Sequence, residues 1–405
     1  MGVRRSHFAL GLTSLLSLCL VLLLHACQSA PLNRVNAADP GPTLATPASA
    51  PSPTPLPPAT QAIVATAGPN GMVQPPRGDV RLAVISDLNS AYGSVTYDPE
   101  VTKAVQLLPF WNPTLVLCSG DMVAGQDPRL SVTELNAMWA GFDKTVAAPL
   151  RQMQLPFGFT VGNHDASSAR GSSGNFLFQQ ERDIAKAYWQ DPAHAPGVQF
   201  IDRNDFPFYY TFESNEIFFL VWDGSSSQIP AAKLAWVEQA LASEKAQSAK
   251  LRILIGHLPL YAVAVDRDQP GDVMDNADTV RSLLEKYNVH TYISGHHHAY
   301  YPGYRGALQL LHTGLLGSGA RPLLSGSLAP GKTLTIIDVN FADPALTTYT
   351  TYDMKTLQVI PISELPRTIV GHNGMVVRRD IPWSSLTPAE QAACKNQLGQ
   401  ARCQA

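Results

Sequence analysis

The chain has 405 residues, 45% of them hydrophobic and 15% charged, enough for one large core or two smaller ones. A formal net charge of −3 and the lack of a long basic run argue against nucleic acid as a principal partner. Composition excludes disorder along the whole length, but it shifts sharply at the N-terminus.

Residues 1–27, MGVRRSHFALGLTSLLSLCLVLLLHAC, place Arg4 and Arg5 before an apolar run from Phe8 to Leu24, which leads to small Ala26 and Cys27. This is the layout of an export signal. The ending Leu24-His25-Ala26-Cys27 resembles the lipobox of bacterial lipoproteins, with His25 as an unusual letter. The resemblance implies lipidation of Cys27 and an exported, membrane-anchored protein of the cell envelope. Cleavage near Ala30 and an uncleaved anchor are the alternatives. Residues 28–78 are rich in Pro, Ala, Thr and Ser, with too few large apolar side chains to offset the entropy of ordering, so an extended linker is expected.

A main domain is expected over residues 79–380. RLAVIS reads as a strand, Pro99 to Phe110 as a helix opened by Asp98-Pro99, and TLVLCSGD as a strand. Residues 131–150 read as helical, and FGFTVGNHD as a strand and loop. After a longer insertion, YYTFES and EIFFLVWDG read as strands joined by a turn at Ser214-Asn215. A helix from Ala231 to about Lys245 leads to the strand LRILIGH. Residues 276–287 read as helical and VHTYISGHHH as a strand and loop. LQLLHTG, KTLTIIDVN, LTTYTTYD and TLQVIPI read as antiparallel strands. Alternation of strands and helices predicts an α/β domain, with the later strands in a second sheet.

Residues 381–405 are expected to form a helical tail, opened by Thr387-Pro388-Ala389-Glu390. Cys394 and Cys403 could pair in an oxidising compartment. An unbroken helix would separate them by about 13 Å, so pairing requires the helix to end between them, where Gly399 stands. Cys118, in TLVLC, reads as a core residue.

Five apolar runs end in polar motifs: SDLN (86–89), SGD (119–121), GNHD (162–165), GH (256–257) and GHHH (295–298). Loops at the carboxyl ends of strands in an α/β sheet converge on one crevice. They would gather Asp87, Asn89, Asp121, Asn163, His164, Asp165, His257, His296 and His298. Carboxylates, an amide and imidazoles without a thiolate suit Fe, Mn, Zn or Co. Any one motif alone is weak, since a lone His or a Gly-Asp pair is usually structural; the order and position of all five carry the reading.

These motifs make the chain resemble the calcineurin-like metallophosphoesterases, whose pattern runs D-x-H, G-D, G-N-H-[D/E], G-H and G-H-x-H. The resemblance implies a two-sheet β-sandwich flanked by helices and a dinuclear centre of Mn, Fe or Zn that hydrolyses phosphate esters through a metal-bound hydroxide. By position, Asp87, Asn89 (where the pattern has histidine), Asp121 and His298 would surround one metal. Asp121 would bridge to a second, held also by Asn163, His257 and His296. The resemblance makes His164 the group facing the phosphate, with Asp165 orienting its ring. His257-Leu258-Pro259-Leu260-Tyr261 and His296 to Tyr300 are similar to the purple acid phosphatase branch, but Ala124 stands where that branch has a tyrosine ligand.

The expected activity is hydrolysis of an extracytoplasmic phosphomonoester. A phosphodiester or nucleotide substrate is the first alternative, and a non-catalytic phosphate- or metal-binding envelope lipoprotein the second. Arg170 and His312 are weaker candidates for substrate contact than for loop and strand-end roles. Tyr261 and Tyr300 are expected to pack beneath the site.

Overall fold

The structure, a computed structural model, describes residues 55–69 and 71–403. The expected signal segment, its cysteine and the first part of the linker lie outside these residues. Among the described residues no helix is long and apolar enough to cross a membrane.

Every position of Val80–Ile85 (β1) is buried, as a strand covered on both faces requires. It lies between Leu115–Cys118 (β2), with which it runs parallel, and a late antiparallel strand. The other strands in chain order are Phe157–Phe159 (β3), Gln199–Asp205 (β4), Tyr209–Ser214 (β5), Ile217–Val221 (β6) and Leu251–Ile255 (β7). They continue with Thr291–Ser294 (β8), Tyr300–Arg305 (β9), Leu308–Thr313 (β10), Thr333–Val339 (β11), Thr348–Asp353 (β12), Thr368–Gly371 (β13) and Gly374–Arg378 (β14).

One sheet has five strands in the order β12-β11-β1-β2-β3; the other has nine, β13-β14-β9-β10-β8-β7-β6-β5-β4. The two faces meet closely. A Cβ at Gly158 of β3 would lie 2.6 Å from the Phe212 ring of β5, and the Tyr210 hydroxyl receives the Phe159 N–H at 3.0 Å. The expected α/β sandwich flanked by helices is the observed architecture.

Local signals explain several elements. Pro99–Trp111 begins with proline at its first turn, buries Val101, Ala104, Val105, Leu108 and Trp111, and stops at Asn112, whose φ is 50°. Ser131 and Glu134 form a capping box that opens Val132–Phe142, and helical backbone continues to Gln152. The same device, Thr387 with Glu390, opens Pro388–Leu398. That helix ends at Gly399, φ 78°, and the chain folds back to join Cys394 to Cys403.

Two expectations differ from the structure. The linker is expected to run to residue 78, yet residues 58–69 and 71–78 pack on the main domain. Pro58–Val64 is helical, Thr60 donates to the Gln106 carbonyl at 2.7 Å, and Ala67 and Met72 are buried. The neighbouring helix Pro99–Trp111 supplies the apolar and hydrogen-bonding partners that this segment lacks alone. TLQVIPI is not a strand: only Val359 bridges to Tyr352, and the Asp353 carboxylate ties down the Lys355 and Thr356 N–H groups in a turn. The insertion after GNHD contains the helix Gln179–Gln190, whose buried Ala185, Tyr188 and Trp189 sit among polar neighbours.

Candidate metal centre

The five motif-bearing loops follow β1, β2, β3, β7 and β8 directly. The first three strands belong to the five-stranded sheet and the last two to the nine-stranded sheet. The loops therefore meet across the mouth of the sandwich. Backbone geometry there is unusual: Asp87, Asp121, His296 and His298 all have φ between 48° and 64°. Non-glycine residues rarely occupy that region, and such strain concentrates where side chains must be aimed.

Asp87, Asp121 and His298 each bring one ligand atom within 4.8 Å of the other two. The Ser86 hydroxyl donates to Asp87 Oδ2 at 2.5 Å, and the His296 N–H to Asp87 Oδ1 at 3.1 Å. His298 directs Nδ1 to the Gly319 carbonyl, 3.0 Å away, so its Nε2 carries the lone pair and stands 3.2 Å from Asp87 Oδ1. Asn89 is 6% exposed. Its N–H approaches the Asp121 carbonyl at 3.3 Å and its own carbonyl accepts from Ser318 N–H at 3.0 Å.

A second convergence adjoins the first. His257 donates from Nδ1 to the Ser119 carbonyl at 2.8 Å, leaving Nε2 facing Asn163 Oδ1 at 2.9 Å and Asp121 Oδ2 at 3.3 Å. His296 donates from Nε2 to Asp272 Oδ1 at 3.1 Å, leaving Nδ1 3.0 Å from the same Asn163 oxygen. The Asn163 amide is held in that orientation because its Nδ2 donates to Gln126 Oε1 at 2.7 Å.

Two imidazole lone pairs, an amide oxygen and a carboxylate oxygen thus face one another at contact distance. Acceptors arranged in this way require a proton or a cation between them. Burial opposes a charge on His257, but Asp121 outweighs it and pushes the imidazole up to about 9. Burial likewise opposes the Asp121 anion, yet His257 and His164 hold its carboxyl well below the usual carboxylate range. The donor set fits a divalent ion, which would replace the proton that His257 otherwise keeps.

His164 stands beside both convergences. Its N–H donates to Asp121 Oδ1 at 2.8 Å, and its Nδ1 lies 2.9 Å from the Gly125 carbonyl. The ring packs against Tyr92, with centroids 5.2 Å apart, and Tyr92 is 60% exposed. Asp165 does not play the part expected of it. Its carboxylate accepts the Val123 and Gly162 N–H groups, each at 2.8 Å, and so shapes the loop backbone. The backbone carbonyl of Gly125, not Asp165, engages the His164 ring. Burial, with the Asp121 charge, raises the Asp165 carboxyl above its ordinary range.

Other candidates fall outside the centre. Arg170 donates to the Gly174 carbonyl and lies over the Phe176 ring at 3.9 Å. His312 is buried, with its ring nitrogens 3.2 Å from the Tyr301 and Tyr261 carbonyls. The Tyr261 hydroxyl donates to Asp278 at 2.6 Å. Tyr300 is buried, and Asp223 pairs with Arg182 at 2.8 Å. Gln126, Gly125, Asp272 and His297 were not anticipated. Gln126, Gly125 and Asp272 lie outside the five motifs, and His297 is the middle residue of GHHH, where only the histidine repeat hinted at it.

The calcineurin-like phosphoesterase model matches residues 80–300. Solved structures similar to the chain include a purple acid phosphatase from yellow lupin (Lupinus luteus) seeds, with 16% identity, 69% of this chain and 52% of that chain covered, and a TM-score of 0.49. A dimetal phosphatase from Danio rerio shows 15% identity over 65% of this chain and 93% of that chain, with a TM-score of 0.42. The chain spans about half the length of the lupin protein. No curated protein matches it. The family match runs from β1 to the first residue of β9, more than half of the chain, and includes all five motif-bearing loops; the chain belongs to the calcineurin-like phosphoesterases, a family of metal-dependent hydrolases.

Proposed function

We propose that the protein is a dinuclear metal phosphoesterase that hydrolyses phosphomonoesters outside the cytoplasm, anchored to a membrane through a lipid on Cys27. The observation that carries the catalytic part is the convergence of His257 Nε2, His296 Nδ1, Asn163 Oδ1 and the Asp121 carboxylate oxygen Oδ2 at contact distance, a set of four donor atoms suited to one cation. Asp87, Asn89, Asp121 and His298 would hold one ion, and Asp121, Asn163, His257 and His296 the other. When bound, two such ions polarise phosphoryl oxygens and lower the pKa of water at neutral pH.

The chain's own groups then have separable tasks. Asp121 spans the two convergences. Asn163 contributes a neutral oxygen, so the centre gains a donor without a third carboxylate. His164, anchored by Nδ1 to the Gly125 carbonyl, delivers a proton from Nε2 to the departing oxygen of the ester. The monoester reading follows from the family resemblance; the two arginines beside the centre are each paired with a carboxylate, Arg267 with Asp272 at 2.7 Å and Arg321 with Asp266 at 3.3 Å. The anchor rests on the charged start, apolar run and Leu-His-Ala-Cys ending of residues 1–27.

The test loads the full chain with Mn, Fe or Zn and measures metal per chain and hydrolysis of an aryl phosphate and of a bis-aryl diester. Two ions per chain and turnover of the monoester are expected, with His164→Ala retaining metal but losing about 10²–10⁴-fold in kcat. Absence of turnover with every metal, or a His164→Ala variant as active as its parent, would sink the enzyme reading. The anchor is tested by labelled fatty-acid incorporation in a bacterial host, which Cys27→Ser should abolish.

A further inference from the structure

The five strand-end motifs between residues 86 and 298 leave one part of the second convergence unexplained: what aims the His296 ring. This ring is 6% exposed and sits on a residue with φ 64°, so neither solvent nor relaxed backbone sets its direction. Its Nε2 faces Asp272 Oδ1 at 3.1 Å. The Asp272 carboxylate is held in turn by Arg267, which donates to Oδ1 at 2.7 Å, and by Gln269, which donates to Oδ2 at 2.8 Å. We infer that Asp272 is a positioning residue for the second metal: it fixes the proton of His296 on Nε2 and so presents the Nδ1 lone pair to the ion. The inference rests on the proposed reading of His296 as a ligand.

The neighbouring histidine secures this arrangement. His297 is fully buried and points away from the convergence. Its Nε2 donates to the Asp272 backbone carbonyl at 3.0 Å, while its Nδ1 accepts the Val263 N–H at 3.3 Å. One donor and one acceptor match a neutral ring. Within Gly295-His296-His297-His298, the two outer rings therefore face the centre, and the middle ring pins the loop that supplies Asp272. Outer partners of this kind orient ligating imidazoles and raise their basicity, and losing one costs metal affinity by about 10–100-fold.

The experiment measures stepwise Mn2+ affinity of the full chain by chelator competition, with ion stoichiometry by atomic emission. His296→Ala should remove one of two ions. Asp272→Ala should keep both at saturation but weaken one by about 10–100-fold while the other binds as in the parent. A general loss of folding would weaken both, so the selective effect marks positioning. If His296→Ala loses an ion and Asp272→Ala binds both with parental affinity, the inference fails and the reading of His296 stands. If His296→Ala itself retains both ions at parental affinity, the reading of His296 as a ligand fails, and the inference with it. Should Asp272→Ala lose its native circular dichroism, an Arg267→Met, Gln269→Leu double variant decides, because it leaves the carboxylate but frees it. A selective several-fold weakening supports the inference, and parental affinity overturns it.

Discussion

At the scale of single residues, Asn89 is the chain's departure from the family pattern. An Asn89 side chain turned back on its own loop would be hydrogen-bonded there. Among the described residues that side chain makes no hydrogen bond, while its backbone is fastened on both sides by Asp121 and Ser318. Asn89→His should therefore change first-site affinity or metal preference by on the order of tenfold, about 1.4 kcal/mol. Unchanged affinity and preference in a metal titration would place Asn89 outside the coordination shell. A residue far from the centre gives a pH prediction. Burial pushes His290 down from 6.5 to about 4, and its ring is matched as a neutral group by Thr291 and the Pro344 carbonyl. Between those pH values the unfolded chain binds a proton that the folded chain refuses. Its stabilising contribution is thus complete above about 6.5 and lost as pH falls towards 4. Thermal melts of His290→Asn should show a flatter dependence on pH across this window than the parent; parallel curves would refute the assignment.

At the scale of elements, the close approach of strand ends is what builds the centre. The turn after β3 passes so near the turn after β2 that a Cβ on Gly162 would lie 2.1 Å from Asp121 Oδ1. Gly162→Ala is expected to displace that carboxylate and reduce metal affinity at least tenfold, with secondary structure intact by circular dichroism. Metal binding equal to the parent's would show that the loops can separate without loss. The C-terminal helix depends on a different device. Cys394 and Cys403, nine positions apart, close a short loop against β14, where Met375, Val377, Ile381 and Leu386 form a small satellite core. Cys394→Ser should destabilise this tail by about 2–3 kcal/mol, detected as faster amide exchange in residues 381–403, while metal stoichiometry stays constant. The helix caps here were legible because Thr387 and Glu390 are sequence neighbours. β9 was not: Pro302 and Gly303 argue against a strand, yet Gly303 allows Val376 of β14 to pack where a side chain would stand.

At the scale of the whole molecule, the centre lies between the sheets, with Asp87, Asp121 and Asn163 from one and His257, His296 and His298 from the other. Ions bound there would cross-link the two sheets and offset the buried carboxylates. Removing metal with a chelator should lower the melting temperature, and restoring it at 100 times its Kd should return about 2.7 kcal/mol. A melt indifferent to metal would count against binding at this junction. The five-stranded sheet has its own buried electrostatic tie, Arg81 of β1 with Asp338 of β11 at 2.8 Å. Because Asp338 is buried, Arg81→Met would leave its charge without that partner.

Sequence alone was enough for the alternating strands, the five polar strand ends and the family pattern that joins them. These are local facts: a buried strand is an apolar run, and the chemistry begins where the run stops. It also identified His164 beside the metal motifs. Tertiary structure decided what depends on partners distant in the chain. It set Asp165 on backbone N–H groups and gave the His164 ring to the Gly125 carbonyl. It also packed the helix Pro58–Val64 on a helix that begins at Pro99, and brought Asp272 to His296 across 24 residues. A side chain's hydrogen-bond partner is set by which loops meet in space, and that meeting is fixed by the packing of two sheets rather than by any spacing along the chain.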